Sequence, residues 1–502
     1  MAPAGSTAAG FASIVDRRRA GGVDRRRQAD GRSTHPDYET VDSMDALVWP
    51  IILAAGILAA GLAGAWVISR WSGWSAAGPV ALIVAAPLVP HIEVASRLST
   101  DDLLPLLGLG LLIVTAPRPG ITRSTLLRAG LAAVAIATLA RIATTIAHEP
   151  TVIEALLTLT AAVVRPVVLI ATVVYVAVVL RHVDRRRWAA GAVAALGTFE
   201  ALFSLVAFVI PLPGVGVRLR LPYEHLSGFD FRITGTLGLS ANHIGAVFVV
   251  TLPMTIGMAI SESGIRRWLW AAAAGLQGTA LFLTFTRASI LLGGAAAALL
   301  LLYYIRLRLA AVITAFCVAS LLVTTWLTIG PQAPVITPPP TGTPPPGETT
   351  PLDRFSDPSD RFALWYSAGR MTLDYPLLGV GLGRMVDVMR EYPARYVNTP
   401  FGKATNSAHN TILLAGAETG VLGALSTFGI NVVLALLALQ ALILRRRYPV
   451  VVAAALAVLA FLAQGMVNNL FTVPATGTLL AVLVGIIVAA GGHDPPVPQP
   501  TG

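Results

Sequence analysis

Eleven apolar segments recur along the 502 residues, at 46–69, 124–147, 152–180, 189–212, 237–260, 268–286, 288–305, 309–330, 421–444, 449–469 and 475–491. Each is near the ~20 residues that an α-helix needs to cross a bilayer core. A water-soluble fold has no place to bury so many. Only 12% of the residues are charged, about half of the roughly 25% of a soluble domain, so most of the outer surface must meet lipid. The expected fold is an all-α polytopic membrane protein.

Two shorter apolar runs, 76–90 and 102–116, flank His91, Glu93, Arg97, Asp101 and Asp102. Charge decides how they count. The net charge of +10 is almost wholly arginine, Lys403 being the single lysine, and in a membrane chain such a balance reads as topology before it reads as affinity for nucleic acid. No nucleic-acid partner is expected. Arginine clusters at 17–27, 118–128, 181–187, 266–267, 306–308 and 445–447 all reach one side if an even number of spans precedes residue 118. Counting 76–116 as one net crossing achieves this. The expectation is about twelve transmembrane helices, both termini in the cytoplasm, and outward-facing segments at 70–75, 148–151, 213–236, around Arg287, at 331–420 and at 470–474.

Domain boundaries follow composition. Residues 1–44 form a polar tail in which Asp16-Arg17-Arg18-Arg19 is repeated as Asp24-Arg25-Arg26-Arg27, without the apolar core of a signal peptide. Residues 45–330 carry the earlier spans, 331–352 a proline-rich linker, 353–420 a helical loop, 421–491 the last spans and 492–502 a second tail. The single large loop is thus expected outside the cell, where conserved scaffolds commonly carry chemistry on loops. Cys317 is the lone cysteine and lies in an apolar stretch, which excludes a disulfide framework and a cysteine metal site.

Four outward clusters stand out. Arg218-Leu219-Arg220 leads through Glu224-His225 to Arg232-Ile233-Thr234-Gly235, with Asn242 just inside the next span. Thr284-Phe285-Thr286-Arg287-Ala288-Ser289 places one arginine in a long apolar run, where a charge costs on the order of 2–3 kcal/mol and tends to be functional. Arg361-Phe362-Ala363-Leu364-Trp365 precedes Pro376-Leu377-Leu378-Gly379-Val380-Gly381-Leu382-Gly383. Last, His409-Asn410 is followed after nine residues by Gly420-Val421-Leu422-Gly423.

The last cluster resembles the signature of the O-antigen ligase and O-antigen polymerase family, and the other three, in the same order, are similar to further blocks of that family. The similarity spans roughly residues 200–425. It implies a membrane glycosyltransferase that moves a glycan from a polyprenyl-diphosphate carrier to an acceptor hydroxyl, on a glycan, lipid or protein, at the outer face of the plasma membrane. It also implies no metal and no cofactor. On that reading His409, the only histidine of the large loop, is the general base. Arg287 and Arg361, then Arg232 and Arg220, bind the diphosphate, because guanidinium groups grip phosphate oxygens bidentately and stay charged. Asn410, Gly420, Gly423 and Asn242 complete the motifs.

Plainer roles compete at several positions. Arg287 fits an interfacial snorkelling arginine, and Arg361 a surface ion pair with Asp357 or Asp360. Gly420 and Gly423 read as packing positions, Gly379-Val-Gly-Leu-Gly as a turn, and Asn468 and Asn469 as helix caps. Glu418, nine residues past His409, falls on the opposite side of a continuous helix. The 36 residues from His409 to Leu444 are too long for one crossing at ~1.5 Å each, so the helix is expected to break near Gly420. A polymerase of the same family, a cell-wall polymerase of the SEDS type, and a polysaccharide transporter or flippase are the alternatives. Against the last, membrane charges are sparse, Glu154, Arg165 and Glu200 being the main ones, and no inverted repeat is visible.

Overall fold

The computed structural model describes residues 45–89, 93–95, 98–99, 102–116, 125–149, 151–209, 233, 235–236, 241–304, 358–388, 407–470 and 473–491. Arg220 and Arg232, the proline-rich linker and the apolar segment 309–330 lie outside them. Contacts separate residues 1–52 from 53–502. The first unit enters the described residues only as the start of a helix, and all that follows concerns the second.

The described residues are helical apart from turns and one two-stranded hairpin. In order come α1 (Asp45–Ser72), α2 (Ala77–Val84), β1 (Glu93–Ala95), β2 (Leu98–Ser99), α3 (Leu103–Thr115), α4 (Thr125–His148), α5 (Val152–Val179), α6 (Val183–Val209), α7 (Ala241–Ser261), α8 (Gly264–Leu283) and α9 (Arg287–Tyr304). After the undescribed stretch follow α10 (Pro358–Asp374), α11 (Met385–Val388), α12 (Thr411–Leu444), α13 (Pro449–Gly465) and α14 (Pro474–Gly491). Among the described residues seven helical segments are long and apolar enough to cross a membrane: α4, Ala162–Val179 of α5, Val183–Ala207 of α6, α7, α9, α12 and α14. Helices α3 and α13 are apolar but shorter.

Helices α7, α13 and α14 form the centre of the bundle, almost every residue of each being buried. Lipid tails are as apolar as leucine, so such helices associate by close packing and shared hydrogen bonds. Small residues supply the first. A β-carbon added at Gly257 would lie 2.7 Å from Ala453 Cβ, and one at Gly485 2.6 Å from Val176 Cγ1, so α7–α13 and α14–α5 approach over bare backbone. Gln277 supplies the second. Its amide nitrogen donates to Ala194 O (3.1 Å), Thr198 Oγ1 (3.2 Å) and Thr255 Oγ1 (2.8 Å), and its oxygen accepts from Thr251 Oγ1 (3.0 Å), so one side chain joins α6, α7 and α8.

The ends of the bundle sort as the arginine clusters predict, with one exception. At the first end Arg186 donates to Ala489 O (3.1 Å) and lies over the Tyr448 ring, while Arg187 bonds Ser261 O (2.9 Å). Tyr304 Oη donates there to Arg446 O (2.6 Å). Segments 181–187, 261–262, 303–304, 445–448 and 489–491 therefore share one end. The exception is 70–75, expected at the other end. Trp74 packs edge-on against Trp188 with ring centres 5.4 Å apart, and Arg185 sits 5.3 Å above it.

The cause is the region 76–116. Helices α2 and α3 pack against each other as two legs joined by the β1–β2 hairpin, with Glu93 opposite Ser99, and a β-carbon at Gly108 would meet Ile83 Cγ1 at 2.7 Å. With about 12 Å and 20 Å of helix, neither leg alone spans a ~30 Å core. The chain goes in and comes back. One net crossing was expected here, yet Trp74 before the pair lies at the first end and α4 after it runs from that end toward His148 at the other.

Candidate active site

The second end gathers the motif residues. Helix α12 begins there, and Asn410 caps it: its Oδ1 accepts from the Ile412 and Leu413 amides (3.0 Å each), and its Nδ2 donates to Met466 O (3.1 Å). Thr411 Oγ1 donates to Gly465 O (2.9 Å). The start of α12 is thereby fixed to the last turn of α13. The start of α9 hangs from the same turn, because Gln464 Nε2 donates to Ser289 Oγ (2.7 Å), two residues past Arg287. Arg287 and His409 thus stand at two helix starts braced on residues 464–466.

Both starts carry backbone strain. Among the described residues the non-glycine positions with positive φ are Phe285 (49°) and His409 (46°), each two residues before its helix. A left-handed conformation at such a residue costs of order 1–3 kcal/mol and persists where the surroundings over-determine it. Here they do. Next to His409, Ala408 is fully buried in a small apolar cluster with Leu364, Ala368 and Met371 of α10. At the other start, Thr286 Oγ1 donates to Ala241 O (3.2 Å) and Asn242 Oδ1 (3.3 Å), which joins the Asn242 and Arg287 blocks.

The block beginning at Arg232 joins them through its described neighbours. Ile233 N donates to Leu283 O (3.4 Å). Glu200, fully buried in α6, accepts from the Thr236 amide (3.1 Å) and hydroxyl. An acidic residue that hydropathy marks only as an intramembrane charge serves to hold this loop down.

Helix α12 breaks where its length requires, at Gly420 (φ 75°, ψ −171°). The run Pro376–Gly383, of which Gly379–Gly383 was read from sequence as a turn, is a strap that fits this break. Val421 N donates to Pro376 O (2.8 Å), Val380 N to Ala417 O (2.8 Å), and Gly383 N to Glu418 Oε1 (2.9 Å). The strap then ties α12 to the end of α4, since Thr144 Oγ1 donates to Leu378 O (2.8 Å) and Arg384 Nη1 to His148 O (3.1 Å). Gly420 has no room for a β-carbon, which would lie 2.5 Å from Pro376 O.

Between α4, α5, α12 and α14 lies a cavity of about 490 Å³. Its composition changes along its length. Toward the second end it is polar, with Thr411, Glu418, Gly383, Asn469, Arg141 and Arg165. Deeper it is walled mainly by apolar residues, Val134, Leu169, Val173, Ile430, Leu434 and Val484, with Thr138, Thr427 and Asn431 among them. From Thr411 to Leu434 it follows 24 residues of α12, on both sides of the break at Gly420. Gly423 lines it too. Arg165 is held by Asp102 in a two-point ion pair (Nε–Oδ1 3.2 Å, Nη2–Oδ2 3.0 Å), whereas Arg141 interacts electrostatically with Glu418 and with Arg165.

The structure therefore relates some expected residues and adds others. His409, Asn410, Asn242, Arg287, Gly420 and Gly423 belong to one end of the bundle. Arg361 falls in the first turn of α10, with its side chain outside the described part, and Arg220 and Arg232 lie outside altogether. Asn468 does not cap a helix: it is buried, and its amide atoms find no hydrogen-bond partner among the described residues. Arg141 and Glu418 are additions. A lone arginine seven residues before the end of an apolar helix was itself a signal for the first. The second was set aside because it falls on the opposite side of the helix from His409.

A family model described as O-antigen ligase matches residues 272–428. The match runs from within α8 to just past Gly423, and so takes in Arg287, Arg361, His409 and both motif glycines but neither Arg232 nor Asn242. No curated protein matches the chain.

Proposed function

We propose, from the premise that residues 272–428 are an O-antigen ligase domain, that this membrane glycosyltransferase moves a glycan from a polyprenyl-diphosphate carrier to an acceptor hydroxyl. The reaction takes place at the outer face of the plasma membrane, toward which the second end of the bundle points, with segment 331–420 outside. One observation carries the reading: the gradient from a charged to a mainly apolar lining along the cavity that begins at Thr411, two residues past His409. A carrier lipid has the same polarity, a charged head followed by a long hydrocarbon chain.

The chemistry follows from the placement. An acceptor hydroxyl attacks the anomeric carbon, its proton passes to His409, and the bond from that carbon to the diphosphate oxygen breaks. The diphosphate leaves with the electron pair, so it gains charge as the bond lengthens. Arg287 and Arg361, with Arg232 and Arg220, stabilise that charge at the rim. Asn410 fixes the helix start from which His409 projects. The residues act without a metal or an organic cofactor.

The family domain covers ligases, which transfer a finished glycan, and polymerases, which extend one. Lipid-linked intermediates in a strain lacking the protein separate them. Long chains left on the carrier indicate a ligase, and single repeat units a polymerase. A strain with an unchanged lipid-linked pool would refute the donor assignment.

A further inference from the structure

Two guanidinium groups enter the cavity at its polar end, and they are not equivalent. Arg165 commits one edge of its guanidinium, Nε and Nη2, to Asp102 (3.2 and 3.0 Å). Arg141 sits on α4 seven residues before His148, about 10 Å below the second end. Glu418 sits eight residues past Asn410, about 12 Å down α12. The two face the cavity at similar depth and attract one another. Deeper the lining is mainly apolar and adds no charged residue, its polar members being Thr138, Thr427 and Asn431. The level of Arg141 is therefore the boundary between head and tail for any lipid lying in this cavity.

A polyprenyl diphosphate has two phosphates at different depths. The sugar-side phosphate is reached from the rim, where Arg287 stands. The lipid-side phosphate lies one bond from the hydrocarbon chain and belongs at the boundary. We propose that Arg141 binds the lipid-side phosphate, and that Glu418 is the counter-ion which occupies Arg141 until the phosphate displaces it. This assignment rests on the donor reading above. A lone guanidinium inside a membrane is costly, so an empty cavity needs an internal anion. Glu418 suits that role because the Gly383 amide holds one of its oxygens at 2.9 Å, so the carboxylate keeps a partner when Arg141 turns to the ligand. The strap 376–383 thus acts on binding as well as on the shape of α12.

The two residues are predicted to act with opposite sign. The full-length protein in lipid nanodiscs is titrated with polyprenyl diphosphate, polyprenyl monophosphate and polyprenol, and binding is read by native mass spectrometry. Arg141→Gln should weaken both phosphorylated ligands about tenfold or more and leave polyprenol unchanged, since only a charge-assisted contact is removed. Glu418→Gln keeps an acceptor for the Gly383 amide and removes the competing charge, so it should bind polyprenyl monophosphate more tightly, by several-fold. Arg141→Lys, which keeps the charge but not the fork, should fall between and serves if the glutamine variant is unstable.

Wild-type affinity of Arg141→Gln and Arg141→Lys for the monophosphate would overturn the assignment while leaving the donor reading intact, provided the wild type still prefers phosphorylated lipid to polyprenol. Weaker binding by Glu418→Gln would overturn the counter-ion role. If the wild type held polyprenol as tightly as the diphosphate, both the assignment and the donor reading would fall.

Discussion

His409 combines a chemical role with an uncomfortable backbone (φ 46°), one residue before a fully satisfied helix cap. His409→Ala should abolish glycan transfer and leave protein level and membrane insertion unchanged, as assayed by product formation in isolated membranes. Near-normal transfer would remove His409 from the mechanism. Asn410→Ala should cost about 1 kcal/mol of stability from the lost cap, and should lower transfer further by freeing His409; Asn410→Asp, itself a good cap, should restore much of the stability. Thermal unfolding in detergent together with transfer rates checks both. The histidine was readable from its spacing to Gly420 and Gly423, and Arg287 from its isolation in an apolar run. The strain at His409 was not, because it depends on Ala408 being buried against α10, a contact remote in sequence. Arg141 went unread for a different reason: α4 is apolar enough to be taken whole as a span, and that view hides its single interior charge.

Among the elements, α12 shows how far length alone can carry a reading. Too many residues for one crossing meant a break, and Gly420 was the residue able to adopt it. What fills the break was not visible, since Pro376–Gly383 pairs with it through backbone groups that leave no side-chain pattern. Gly420→Ala should lower stability by about 1–3 kcal/mol for a backbone conformation (φ 75°, ψ −171°) open essentially to glycine alone, with a further loss from the 2.5 Å approach to Pro376 O. Gly369→Ala in α10 is the control. A β-carbon there meets nothing within 4 Å, so this change should be neutral or stabilise by up to about 1 kcal/mol through helix propensity. Melting curves of the two purified variants decide the matter, and equal loss in both would refute the packing account of the break.

For the whole molecule, hydropathy marked nearly every described membrane helix, and the arginine clusters predicted which ends meet. At 76–116 hydropathy does not discriminate, because a pair of short legs that returns to its starting side has the same composition as one interrupted span. Labelling distinguishes the two. With Cys317 replaced by serine, cysteines at Leu377 (83% exposed), Trp71 (91% exposed) and Arg447 can be probed in intact cells with a membrane-impermeant thiol reagent. Position 377 should react from outside, and 71 and 447 only after permeabilisation; labelling of 71 together with 377 would restore the single crossing. The central claim, that this bundle cleaves a glycan from a carrier lipid at its outer end, is tested most directly in proteoliposomes. The purified protein is given a polyprenyl-diphosphate-linked glycan and the acceptor fraction of the cell envelope, and free polyprenyl diphosphate is measured beside glycosylated product. The account predicts equimolar appearance of the two with the wild type and neither with His409→Ala. An intact donor in the presence of the wild type, or equal release by the variant, would contradict it.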